Sequence, residues 1–167
     1  MGLTFANITL TSSEDLLLLR KGYIEEKEVK SLDITALVDT GASMLTIPKS
    51  IQQKLDLPKV NEQNVELGNG TIITVDVVGP VEIRFQNRVT IVTAVVLPNE
   101  VEILLGVIPL QALDVLIDPR RERLIVNPQS PDKARLYLHN TDKILSPEQL
   151  RKLEITGEDD SKENNRT

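Results

Sequence analysis

Eight residues, Ala36-Leu37-Val38-Asp39-Thr40-Gly41-Ala42-Ser43, constrain this chain more than any other stretch. Ile34, Ala36 and Val38 alternate with Thr35 and Leu37, the pattern of a strand buried on at least one face. That strand ends abruptly in a carboxylate, and an unpaired charge at a buried strand end is costly. Gly41 permits a sharp turn and close approach of another backbone or a ligand. The Thr40 hydroxyl can bond back into the loop or across an interface. By itself Asp-Thr-Gly is also the composition of an ordinary turn. The apolar flanks, Ala36-Leu37-Val38 before and Leu45-Thr46-Ile47-Pro48 after, shift the balance towards a built site.

The rest of the chain reads as short strands with a few helical turns. Residues 3–10 alternate and predict a first strand, and Thr11-Ser12-Ser13-Glu14-Asp15 predicts a capped helix ended by Gly22. Residues 25–30 are charged and read as a solvated loop. Ile51 and Leu55 stand at helical spacing after Pro48. Val65-Glu66-Leu67 and residues 71–75 flank Gly68-Asn69-Gly70, a hairpin signature. Gly79-Pro80 is expected to break that run; residues 81–85 and 89–97 are strands around a turn at Gln86-Asn87-Arg88. Residues 101–105 lead into Gly106 and a short buried helix over 107–113, and 115–126 makes a final hairpin. Ser146-Pro147-Glu148-Gln149 is a helix start with a serine cap and proline at the first position.

Composition removes several functional classes. The 19 Lys and Arg against 25 Asp and Glu leave a formal charge of −6, unlike a general nucleic-acid binder. With no cysteine there is no disulfide, thiolate metal site or cysteine nucleophile. No apolar run approaches the ~20 residues that span a bilayer. The first residues show no basic segment followed by a long apolar run, so a cytoplasmic protein free of membrane and nucleic acid is expected. The single histidine, His139, has no partners for a catalytic or metal role, and Gly68-x-Gly70 lacks the third glycine of a dinucleotide loop. No cofactor and no metal are expected. With only two Phe and two Tyr, the core must rest on Leu, Ile and Val.

Three features in the same order resemble the retropepsin-like aspartic proteases, in a form similar to bacterial single-domain members. They are the Asp39-Thr40-Gly41-Ala42-Ser43 loop, the Gly68-Asn69-Gly70 hairpin tip, and Ile103-Leu104-Leu105-Gly106 before a short helix. The resemblance covers roughly residues 3–128. It implies an all-β fold, a closed β-barrel of the acid-protease half-domain type with one or two short helices, acting as a homodimer. It implies domain limits of 1–128 for the protease domain, 129–156 for an extension with a short helix, and 157–167 for a disordered polar tail. Ser43, Val107 and Ile108 stand where retroviral members carry Asp, Arg and Asn or Asp. The Asp and Arg form an ion pair there, so their joint absence is coherent.

The chemistry implied is hydrolysis of a peptide bond by two carboxylates that share one proton. Like charges about 3 Å apart cannot both ionise cheaply, so the pair titrates as a unit. No second Asp-Thr-Gly or Asp-Ser-Gly occurs in the chain, so a two-fold partner would supply the second Asp39. By resemblance Asp39 is catalytic, Thr40 bonds across the dimer axis, and Gly41 and Ala42 face the substrate. Gly68, Asn69 and Gly70 form a closing flap, Ile72 and Ile108 line apolar subsites or pack in the core, and Leu105 and Gly106 brace the loop. The substrate is a peptide or protein lying extended in the groove. The alternative is a non-catalytic dimeric module that captures peptides or a partner protein on the same fold.

Overall fold

The computed structural model describes residues 2–137 and 146–152. In chain order its elements are β1 (Phe5–Ser12), α1 (Ser13–Arg20), β2 (Ser31–Val38), β3 (Leu45–Pro48), α2 (Lys49–Leu55), β4 (Lys59–Glu66), β5 (Ile72–Phe85), β6 (Arg88–Leu97), β7 (Leu104–Leu105), α3 (Val107–Leu113), β8 (Val115–Asp118) and β9 (Arg123–Val126). A 3₁₀ turn occupies Glu26–Glu28. Contacts group residues 1–136 in one unit and 137–167 in another. In the second unit a helix over 147–152 begins at a reciprocal cap, the Ser146 hydroxyl accepting from Gln149 N (3.3 Å) and the Gln149 side chain from Ser146 N (2.8 Å). His139 and the polar tail lie outside the described residues.

β1 shows why the sheet forms as it does. Ala6, Ile8 and Leu10 are buried, while Asn7 and Thr9 face outward and bond across to Thr35 and Asp33 of β2 at 2.9 and 2.7 Å. Ser12 then caps α1 by accepting from Asp15 N. At the other end Gly22 N and Tyr23 N return to Leu19 O and Leu18 O, a Schellman closure. The Asp15 carboxylate takes both the backbone N–H (2.8 Å) and the ammonium (3.1 Å) of Lys30, which delivers the chain into β2 in register with β1.

The strands make one sheet in the order β4-β5-β6-β3-β7-β2-β1-β9-β8, with β5 also pairing with β1. β5 pairs along one edge with β4 as far as Val78, and with β1 from Val81 onward. Gly79-Pro80 lies in the handover between those two partners. The expected break there is therefore not a break: one strand runs from Ile72 to Phe85 through a bulge with a cis Gly79-Pro80 bond. Gly79 (φ 141) turns its N–H to Pro58 O, and the proline, which has no N–H, sits where no ladder partner is needed. The ring β5-β6-β3-β7-β2-β1 is linked through a two-residue β7, and β4 and the β8–β9 hairpin lie outside it. The fold is thus mostly β but not the clean closed barrel expected, and it holds more helix than the one or two short helices expected.

The core is aliphatic, built on Ile8, Leu10, Leu45, Ile47, Ile83, Leu105 and Leu113, with Phe85 its one aromatic side chain among the described residues. α2 and α3 seal it, burying Ile51 and Leu55 from one and Pro109, Leu110 and Leu113 from the other. Arg88, expected in a turn, instead opens β6 with its side chain 1% exposed. Its guanidinium donates to Ser130 O and faces Asp114 at 3.9 Å. Asp114, the left-handed cap of α3 (φ 50), accepts from Asn127 Nδ2 (2.8 Å), the Ser130 hydroxyl and Arg135 N (2.8 Å). Those bonds, chiefly from Asn127 and Ser130, hold the Asp114 carboxyl at a pKa of about 2 against an ordinary 3.8. The segment 127–135 is thereby tied to the core.

Candidate active site

β2 is held on both edges up to its last residue. Val38 N donates to Thr4 O (2.8 Å), Leu37 N to Ile103 O (2.8 Å) and Asp39 N to Leu105 O (3.1 Å). The chain leaves the sheet immediately after that bond, so the half-buried Asp39 side chain stands at a fixed strand end. Its Oδ1 accepts the Gly41 N–H at 2.8 Å, an Asx turn, and its own carbonyl accepts from Ala42 N at 3.2 Å. Among the described residues Oδ2 has no partner. A Cβ on Gly41 would lie 3.1 Å from Oδ1, so glycine leaves the carboxylate its place.

The loop is braced from below. Val107 N and Ile108 N, the first orphan donors of α3, bond Ala42 O and Ser43 O at 2.9 Å each. Gly106 lets this happen by lack of bulk: a Cβ there would come within 2.7 Å of both Ala42 O and Met44 N, backbone atoms that cannot step aside. Its φ of −84 is ordinary, so space and not conformation demands glycine. Leu105, fully buried, supplies the carbonyl that takes Asp39 N. Sequence spacing thus brings Asp39, Ala42, Leu105 and Gly106 into one hydrogen-bonded unit.

A cleft of about 550 Å³ opens between this loop and the β4–β5 hairpin. Asp39, Gly41, Ala42, Ser43 and Met44 line one side, every residue from 63 to 68 lines another, and Thr46, Val95, Leu97 and Leu104 lie between. Six consecutive residues of one strand can border a cavity only if the strand presents its edge, because side chains alternate. β4 is the end strand of the sheet, so that edge carries unpaired backbone groups. At the tip, Leu67 N bonds Thr71 O and Gly70 N bonds Leu67 O, both at 2.8 Å, while the Asn69 side chain accepts from Thr71 N. Gly70 (φ 82) takes the left-handed position that this turn requires. Gly68 reaches the cleft; Asn69 and Gly70 are exposed beside it.

Two expected contributors stand elsewhere. Ile72 and Ile108 are 64% and 53% exposed and line neither the cleft nor the core. The apolar wall comes instead from Met44, Val65, Leu97 and Leu104, and the polar one from Gln63, Asn64 and Glu66. Their signal was indirect: Leu97 and Leu104 pair with Pro48 and Thr46, the strand that follows the Asp39 loop. Thr40 points away from the cleft, into a shallow pocket with Leu110, Val115, Leu116 and Ile117. Its hydroxyl has no partner among the described residues. Among those residues no three His, Cys, Asp or Glu side chains gather in a way that could hold a metal ion. No described helix is long and apolar enough to cross a membrane.

The family model for aspartyl proteases matches residues 24–107, half of the chain, from just before β2 to the first residue of α3. The chain belongs to the aspartyl protease family. That match takes in the Asp39 loop, the β4–β5 hairpin and the Leu105-Gly106 brace, while β1 and the segment after Val107 lie outside it. No curated protein matches the chain. For an aspartyl protease domain, one carboxylate aimed at an extended cleft beside a free strand edge is the arrangement peptide hydrolysis calls for.

Proposed function

We propose that this chain is an aspartic endopeptidase that works as a two-fold homodimer, with Asp39 of each copy forming the catalytic dyad. The observation that carries this reading is the Asp39 carboxylate, braced at a strand end, lining the cleft with one oxygen unpartnered, in a chain that has no second such loop. In the reaction the ionised carboxylate takes a proton from water, and the water oxygen bonds to the scissile carbonyl carbon. The protonated carboxyl of the other copy donates to the developing oxyanion. Collapse of the tetrahedral intermediate breaks the C–N bond, and the amine leaves with a proton from the dyad. The peptide lies extended along the free edge of β4, pairing through its main chain. Gly68, Asn69 and Gly70 close over it and shed water.

The dimer contact proposed is the surface that carries Thr40. Beside it Ile108, Leu116 and Ile117 are exposed, and β8 ends the sheet with an apolar edge bearing no charge before Asp118. Such an edge invites pairing. The Thr40 hydroxyl, unpartnered within one chain, would find its partner across the axis. The proposed setting is the cytoplasm, in line with an acidic, cysteine-free chain.

The test is cleavage of a diverse peptide pool from mildly acid to neutral pH by wild type and by Asp39→Asn, with dimerisation followed by sedimentation. Cleavage lost in a folded, dimeric Asp39→Asn supports the dyad. Equal cleavage by both proteins would remove Asp39 from the mechanism. Peptide binding by both without cleavage by either would move the reading to a binding module on the protease fold.

A further inference from the structure

The cleft carries an uncompensated negative charge, and its position bears on which peptides enter. Of the residues that line it, only Asp39 and Glu66 are ionisable, and no Lys or Arg is among them. Other acids of the same hairpin are neutralised: Lys59 bridges Glu62 at 2.6 Å and Asp76 at 2.9 Å. Glu66 is exposed and has neither hydrogen bond nor ion pair among the described residues. It belongs to the last pair of the β4–β5 ladder, opposite Ile72, where the strand edge meets the cleft.

We propose that Glu66 is a specificity-determining residue that selects peptides with a Lys or Arg side chain near the cleaved bond. Apolar side chains of the same peptide would sit against Met44, Val65, Leu97 and Leu104. An extended peptide alternates its side chains, so an apolar and a basic residue one position apart can face the aliphatic wall and Glu66 in turn. In a two-fold dimer the second Glu66 stands at the symmetric place, so peptides with a basic residue on each side of the scissile bond gain twice. This inference rests on the protease reading for the cleft it uses, but its test is one of binding.

The probe is a set of fluorescent octapeptides with a central Leu-Leu pair, carrying Lys, norleucine or Glu at each flanking position in turn. Binding is measured by anisotropy to Asp39→Asn, which cannot cut them, and to the Asp39→Asn, Glu66→Gln and Asp39→Asn, Glu66→Lys double variants. Lys peptides should bind about threefold tighter than norleucine peptides, and doubly basic ones about tenfold, the scale of exposed ion pairs. The advantage should vanish with Glu66→Gln, reverse towards Glu peptides with Glu66→Lys, and shrink as salt rises. Equal binding of the three peptide classes, an advantage that survives Glu66→Gln, or no binding of any peptide would each overturn the proposal. Wild-type cleavage with no such preference would leave the protease reading standing without it. Glu66-dependent binding with no wild-type cleavage would leave the selectivity standing and remove the protease.

Discussion

Asp39 and Asp114 each follow a regular element, one the strand β2 and the other the helix α3, and they are put to opposite uses. Asp114 is one-tenth exposed, accepts three hydrogen bonds across both oxygens and faces the buried Arg88. Every lone pair it has is directed at fixing the fold, and the donors hold its pKa at about 2. Asp39 accepts one backbone N–H on one oxygen and leaves the other towards a cleft. The contrast separates a carboxylate saturated by its own chain from one positioned by its backbone and left chemically available. Sequence offered little to tell them apart, since both are Asp next to a turn.

The sharpest break in that comparison is Asp39→Asn against Asp114→Asn. In Asp39→Asn the new amide keeps an oxygen that can accept from Gly41 N, so stability should change by less than about 1 kcal/mol while cleavage falls about 10²- to 10⁴-fold. Thermal melting and peptide assays on the same samples check both halves, and a strongly destabilised Asp39→Asn would make Asp39 structural after all. Next in size is Gly106→Ala. Its Cβ meets backbone on both sides of the Asp39 loop, so overpacking should cost about 3 kcal/mol and disturb the site together with the fold. Unchanged urea midpoints would show that the brace is looser than its geometry.

Asp114→Asn is the third. Asn tolerates the left-handed backbone at this position, so the cost comes from its amide group, which would confront donors from Asn127, Ser130 and Arg135. A loss of about 2 kcal/mol is expected, with activity per folded molecule retained. The sign of its pH dependence follows from the lowered folded pKa. The carboxylate's contribution is complete above its ordinary 3.8 and is lost as pH falls through that value towards about 2. The gap in unfolding free energy between wild type and Asp114→Asn should therefore be constant from neutral pH to about 4 and close below it. A gap that persists to pH 2 would show that the bonds do not depend on charge.

Much of the positioning framework was legible because it repeats local rules. Ile51 and Leu55 announced α2, Gly68-Asn69-Gly70 announced the hairpin, and the apolar run into Asp39 announced the loop. What stayed hidden depends on partners distant in sequence. β4 is exposed on both faces and so has no alternation to show, and only its last residues, next to the turn, were readable as strand. That is why the cleft wall at Gln63, Asn64 and Glu66 was missed. Arg88 reads as a turn charge unless Asp114 and Ser130 are known to await it. Gly79-Pro80 reads as a stop unless the change of partner from β4 to β1 is seen.

The smallest expected stability change is the most informative about the open carboxylate. Gly41 has no unusual φ and lies in an exposed loop, so Gly41→Ala should alter stability by no more than about 0.5 kcal/mol. The added methyl, however, would sit 3.1 Å from Asp39 Oδ1, closer than carbon and oxygen ordinarily approach. The carboxylate must then shift by a few tenths of an ångström while its bond to the residue-41 N–H persists. Misplacing a reacting group by about 1 Å costs about a hundredfold, so this displacement should lower kcat about tenfold and leave KM for a given peptide nearly unchanged. Asp114 has no such tolerance, because three donors on two oxygens hold it and a shift of the same size would lengthen all three bonds. An unchanged kcat in Gly41→Ala would mean that the Asp39 carboxylate is free to re-aim itself. Its placement would then come from the partner copy, and the Asx turn would be incidental to catalysis.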